Sequence, residues 1–144
     1  MIEEHADQLT NGLIVDLKRN PRTSDYHRLS DAEIYQRVYN VYHDLGRWLG
    51  GDAENVVEAH YSNLGKRRAM ESVPLSQVLY ALIRTKAHLF EYVRRTGLLD
   101  SAVDLYRHEE FRRSVDIFFD KAIYYTARSY ETEQALHSVP AMAG

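Results

Sequence analysis

Residues 30–51 read SDAEIYQRVYNVYHDLGRWLGG, and this stretch decides the fold class. Ser30 and Glu33 stand at the S-x-x-E spacing of a capping box, which satisfies free amides of a first helical turn. Ile34, Val38, Val41, Tyr42, Leu45, Trp48 and Leu49 then recur every three or four residues, the period that lays one apolar stripe along a helix. Gly50-Gly51 stops it, because glycine reaches the left-handed conformation needed past a helix end. Start, stripe and stop agree on one amphipathic helix, which must bury its stripe against other helices.

The flanking sequence repeats the pattern. Upstream, Ile2, Ala6, Leu9, Leu13 and Leu17 share a stripe over about Glu3 to Lys18, ended by Asn20-Pro21. Residues 19–29 read as a polar connection. Downstream, a third helix is expected from about Ala53 to Glu71, capped by Asp52, with Ala53, Val56, Val57, His60, Tyr61 and Leu64 facing inward. Pro74 marks the start of a fourth, Leu75 to Arg95, where its missing N–H is harmless. Leu75, Val78, Leu79, Leu82, Leu89, Phe90 and Val93 line one side of it, and Thr96-Gly97 ends it. A last segment, about Asp100 to Leu136, carries Phe111, Val115, Phe118, Ala122 and Tyr125 and is long enough that a break near Arg107-His108 is expected. No stretch alternates with the two-residue period of a strand. The expectation is an all-α bundle of about five helices with a long C-terminal helix, forming one domain over residues 1–137 and a flexible tail over 138–144.

Composition narrows the function. A chain of 144 residues is one ordinary domain. With 44% hydrophobic and 27% charged residues it is globular and not disordered. The net charge of −3 argues against a nucleic-acid partner, which usually calls for a strongly basic surface. There are no cysteines, so disulfides, zinc–thiolate sites and thiol catalysis are excluded. The opening MIEEHADQLT lacks a basic-then-apolar secretory pattern. The apolar runs, such as Leu13-Ile14-Val15, are far too short for a membrane span. A cytoplasmic protein without a membrane partner is expected.

Candidate chemistry is sparse. His60 falls among apolar positions, where a histidine either ligates haem or metal or simply bonds a carbonyl or tyrosine in the core. No two histidines stand at i, i+4, and there is neither H-E-x-x-H nor E-x-x-H, so no metal site is expected and haem through His60 stays an alternative. Lys86 projects among leucines. It is either a desolvated base, or a stem that packs while its ammonium finds water or an acid on another helix. The basic clusters at residues 66–68, 94–95 and 112–113 are interleaved with acids and read as solvated faces. The proline turn at Val73-Pro74 makes a poor helix-turn-helix. A nucleic-acid-binding regulator is therefore the weakest alternative, and an enzyme lacks any nucleophile–base pair. The last helix has more apolar surface than one seam needs: Ile117 with Tyr124, and Ile123 with Tyr130, each seven residues apart. These extra lines fit either a homodimer seam or a central helix surrounded by the others.

Three segments then converge on a known pattern: YHDLGRWL at 42–49, HYSNLGKRRAMESVPLSQVLYALIRTKAHLFEYV at 60–93 and FFDKAIYYTARSYE at 118–131. Together they resemble the N-terminal domain of the RsbRD-type regulators, described as RsbT co-antagonists and negative regulators of a stress sigma factor. The main points are Tyr61-x-x-Leu64-Gly65-x-x-Arg68, Pro74-Leu75, Phe119-Asp120 and Tyr130. The resemblance spans about residues 3–131 and rests on packing motifs. It implies a bacterial all-α sensory input domain for the stress response, related to haem-free globin-like domains that dimerise, normally followed by an output domain. None lies within these residues. The expected function is non-enzymatic signalling through a protein partner. A ligand between helices two, three and four would meet Trp48, His60, Tyr61, Arg68 and Lys86, and a homodimer seam would use Ile117, Ile123, Tyr124 and Tyr130.

Overall fold

The structure, a computed structural model, describes the backbone of residues 2–96 and 102–143 and the side chains of residues 5, 7–96 and 107–137. Five α-helices follow in order: α1 (Ile2–Arg19), α2 (Asp31–Leu49), α3 (Glu54–Met70), α4 (Leu75–Thr96) and α5 (Ala102–Ala143). A 3-10 helix, Pro21–Arg28, links α1 to α2. No strand occurs among the described residues, so the all-α bundle with a long last helix is as the periodicity demands. No described helix is long and apolar enough to cross a membrane.

Where sequence signals were complete, the local structure obeys them. Ser30 is the N-cap of α2, and its hydroxyl accepts from the Glu33 amide at 3.2 Å. Gly51 takes φ +110° just beyond the C-cap Gly50, a conformation other residues rarely adopt. After α3, Ser72 sits at φ 59°, and the Val73 amide reaches back to the Arg68 carbonyl at 3.1 Å, closing a Schellman-type turn.

Four local expectations need correction. The polar connection at 19–29 is mostly a 3-10 helix that buries Thr23 and Tyr26. Thr23 donates to the Leu17 carbonyl at 2.8 Å, satisfying an acceptor that the end of α1 leaves open. The N-cap of α3 is Ala53, with no side-chain cap bond, because Asp52 pairs with Arg47 at 2.9 Å instead. α5 passes Arg107-His108 without a break, since neither glycine nor proline interrupts it there. Its helix also continues to Ala143, through residues expected as a tail. A proline near a helix end removes one ladder bond without stopping the rise.

The core is built from the apolar stripes of α1, α2, α4 and α5. Leu13, Leu17, Ile34, Tyr42, Leu45, Leu89, Val115, Phe118 and Phe119 are almost fully buried. Each such side chain contributes about 1.5–3 kcal/mol on removal from water. Phe118 lies at the centre, edge-on to Tyr61 and Phe119 and tilted against Trp48. Tyr42 keeps its hydroxyl satisfied by donating to the Thr85 carbonyl at 3.0 Å, and burial pushes its pKa above the ordinary range.

The helices share one core but contact one another unequally. α1 packs on α2, the 3-10 helix and α4, α5 packs on α4 and α2, and α3 leans almost wholly on α5. Gly65 explains the closeness of that pair: a Cβ at this position would stand 2.2 Å from the Thr126 carbonyl oxygen of α5. Around the crossing, Ser129 bonds the Ser62 carbonyl, Lys121 pairs with Glu54, and Arg128 pairs with Glu58 at 3.0 Å.

Candidate functional site

α2 and α3 run antiparallel but share almost no backbone contact, which leaves an open cleft of about 670 Å³ between them. Its walls carry many polar side chains on a partly apolar surface. α2 contributes Glu33, Gln36, Arg37, Asn40, His43 and Asp44; α3 contributes His60, Tyr61, Asn63, Arg67 and Arg68, with Glu71 just beyond its end. Val41 and Leu64 form the only aliphatic part of the lining.

Each end of the cleft is closed by an ion pair. At one end Glu71 bridges two guanidinium groups, accepting from Arg68 Nη1 at 2.7 Å and from Arg37 Nη2 at 3.1 Å. Arg68 is only 6% exposed. Burial lowers its pKa, and the charge of Arg37 adds to this, while Glu71 and Tyr26 oppose it. Burial raises the Tyr26 pKa against the pull of both arginines. At the other end the Asp44 carboxylate meets His60 Nδ1 at 3.0 Å. Beneath the cleft, Arg37, Arg68, Val41 and Leu64 separate it from a cavity of about 40 Å³ lined by Leu17, Val78, Leu82 and Thr85.

Between the two ends lies Tyr61. Its ring is 2% exposed and packs on Phe118, and its hydroxyl is buried beneath the cleft that the residue helps to line. No acceptor stands at normal hydrogen-bond geometry to that hydroxyl, although Asp44 is close enough to act on it. Burial first, then the Asp44 charge and a weak contact with its carboxylate, hold the phenol pKa well above the usual value. A buried phenol without a full partner costs about 1–3 kcal/mol.

The structure thus brings together three of the five residues expected around a ligand: His60, Tyr61 and Arg68. His60 is not where the apolar periodicity placed it. The buried stripe of α3 is Val57, Tyr61, Gly65 and Arg68, one position further round the helix, and this turns the imidazole outward onto Asp44 with its side chain 47% exposed. The apolar setting that made haem ligation an alternative is therefore absent at His60. Among the described residues no group of three His, Cys, Asp or Glu side chains could hold a metal ion. Trp48 and Lys86 lie elsewhere. The Trp48 indole donates to the Ser114 carbonyl at 3.2 Å, and Lys86 pairs with Asp116 at 2.7 Å, both across to α5. Lys86 is thus the paired lysine of its two readings. Arg37, Asp44 and Glu71 were missed; they sit on faces that sequence alone assigns to solvent.

The four seam residues divide as well. Tyr130 is buried and donates to the Val73 carbonyl at 2.5 Å, and Ile123 packs against the core. Those positions are apolar because α5 is flanked by α3 and α4 of its own chain. Ile117, 37% exposed, and Tyr124, 58% exposed, face outward.

Compared with protein-family models, with curated proteins and with solved structures, the chain gives no match.

Proposed function

We propose that this chain is a non-enzymatic sensory input domain. A small molecule held between α2 and α3 changes the placement of the α3–α5 pair, and α5 carries the change to a signalling partner. One observation carries the reading: an open recess lies between α2 and α3, and α3 rests chiefly on α5. A ligand there touches both α2 and α3. The close approach at Gly65 then obliges α5 to follow α3, because packed helices shift between discrete arrangements and do not deform smoothly. The likeness to RsbRD-type input domains points the same way. The domain pairs with a second copy through the outward line of Ile117 and Tyr124 on α5.

The test is a library of metabolites screened against the intact chain by thermal shift, followed by amide NMR of any stabilising compound. The reading expects perturbed signals both along the cleft, at Asn40 and Asn63, and along α5 between Phe118 and Tyr130. A compound that binds the cleft and leaves α5 unchanged contradicts it, as does a library without any stabilising compound.

A further inference from the structure

The lining of the α2–α3 cleft specifies more than a recess, and we infer that it takes a hydroxylated organic anion, of the sugar-phosphate or sugar-acid class. The inference rests on the sensory reading above and names the ligand chemistry of that same cleft.

Charge places the anionic group. The end near Glu71 holds three guanidinium groups, Arg37, Arg67 and Arg68, against the carboxylates of Glu71 and Glu33. The Glu33 carboxylate accepts from the Ser30 hydroxyl at 3.3 Å, at the start of α2. Glu71 is shared between Arg37 and Arg68. Arg67 is exposed on the cleft wall, and no side-chain partner for it occurs among the described residues. One end of the cleft therefore carries an uncompensated positive charge, formed by groups whose planar forks suit phosphate and carboxylate oxygens. Arg68 has surrendered most of its hydration and cannot turn to water for compensation.

The walls specify the rest of the molecule. From Arg37 to Asp44 along α2, and from Arg68 to Tyr61 along α3, is seven residues, or about 10 Å of helix rise. The lining there includes amides, an imidazole, a carboxylate and a phenol: Gln36, Asn40, Asn63, His60, Asp44 and Tyr61. These groups exchange hydrogen bonds with hydroxyls, while Val41, Leu64 and the side-chain stems give a carbon skeleton an apolar surface to lie on. Tyr61 adds a buried phenol to this wall, its hydroxyl without a partner at normal geometry and under the influence of Asp44. A six-carbon polyol with an oxyanion at one end matches both the charge gradient and the length.

Isothermal titration of the intact chain with glucose phosphate, gluconate, glucose and inorganic phosphate tests this. Glucose phosphate or gluconate, or both, should bind at least about tenfold more tightly than either glucose or phosphate, since neither half-ligand spans the cleft. Preference between the two tells whether phosphate or carboxylate is the head group. Arg67→Gln, which removes an exposed side chain without an intramolecular partner, should weaken binding about tenfold and leave the melting temperature unchanged. Glu71→Gln should tighten it, because the internal competitor for the guanidinium groups loses its charge. Binding of phosphate alone as tight as glucose phosphate, or no effect of Arg67→Gln, would overturn the inference, as would binding of neither anion. If a neutral or cationic compound from the library occupies the cleft and moves α5, the ligand class is wrong and the sensory reading stands. If glucose phosphate binds and α5 stays still, the reverse holds.

Discussion

Tyr61 and His60 are neighbours, yet one anchors α3 in the core and the other sits in solvent, and the difference is a 100° step around a helix. The apolar residues Val56, Val57 and Leu64 are compatible with two adjacent faces. What selects between them is Gly65 and Arg68, which bury although no hydropathy pattern marks them as core. The half-satisfied state of Tyr61 gives a direct prediction. Tyr61→Phe keeps the ring against Phe118 and deletes a hydroxyl that gains little, so chemical denaturation should show stability unchanged or raised by up to about 1 kcal/mol. A loss above about 1 kcal/mol would mean that the phenol has a good acceptor after all. Asp16 behaves oppositely. It accepts from Arg84 Nε at 2.7 Å, His88 Nε2 at 2.8 Å and Asn20 Nδ2 at 3.3 Å, stapling α1 to α4. Burial raises its pKa, but these bonds and the charge of Arg84 outweigh burial and leave it below the ordinary 3.8. A carboxylate depressed in the folded state stabilises above its unfolded pKa, and that stabilisation fades as pH falls through the folded value. Asp16→Asn should therefore cost about 1–2 kcal/mol at neutral pH and almost nothing once the wild-type carboxyl is protonated. Urea melts across the acid range would show the two stabilities converging, and a constant gap would contradict the assignment.

The elements whose ends carry complete chemical signals are legible from sequence, and those that depend on tertiary partners are not. α2 has cap, stripe and glycine stop, and its structure follows them residue by residue. The 3-10 helix has no stripe; it forms because Thr23 and Tyr26 find burial against α1 and α4, which the sequence of that segment alone cannot state. The α3–α5 crossing is a similar case. The Leu64-Gly65 pair was visible, but the need for glycine arises only once the Thr126 carbonyl stands against it. In the candidate site, His60, Tyr61 and Arg68 could be named in advance, whereas Glu71, Arg37 and Asp44 acquire their roles only by crossing between helices. Gly65→Ala should destabilise the chain by about 2–3 kcal/mol or force α3 away from α5, because backbone cannot yield as a flexible side chain does. Gly12→Ala is the matched control. Its added methyl would lie 3.9 Å from His88 Nδ1, in ordinary contact, and should stabilise α1 by about 0.5–1 kcal/mol. Equal effects at the two glycines would remove the close crossing from the account.

Across the whole molecule, the long α5 is the shared wall: it receives α3 on one flank, meets α4 and α2, and continues well beyond them. Its 42 residues rise about 63 Å, twice the length of its neighbours. Among the described residues Tyr130 is the last buried position, and residues 131–137 beyond it are mostly exposed. A helix that leaves its own core in this way is placed to contact something else. For the pairing proposed through Ile117 and Tyr124, sedimentation velocity should show association in the micromolar range that Tyr124→Glu abolishes; a monomer throughout, or a dimer indifferent to that change, would remove the seam.

The proposed mechanism requires α3 and α5 to move as one body relative to α2. Because the chain has no cysteine, pairs of spin labels can be introduced without background by Asn40→Cys with Asn63→Cys across the cleft, and by Ala59→Cys with Asp120→Cys across the α3–α5 contact. Pulsed dipolar spectroscopy on the ligand-free protein should give a broad distance distribution for the first pair and a narrow one for the second. Two equally narrow distributions, or a broad one between α3 and α5, would contradict the account.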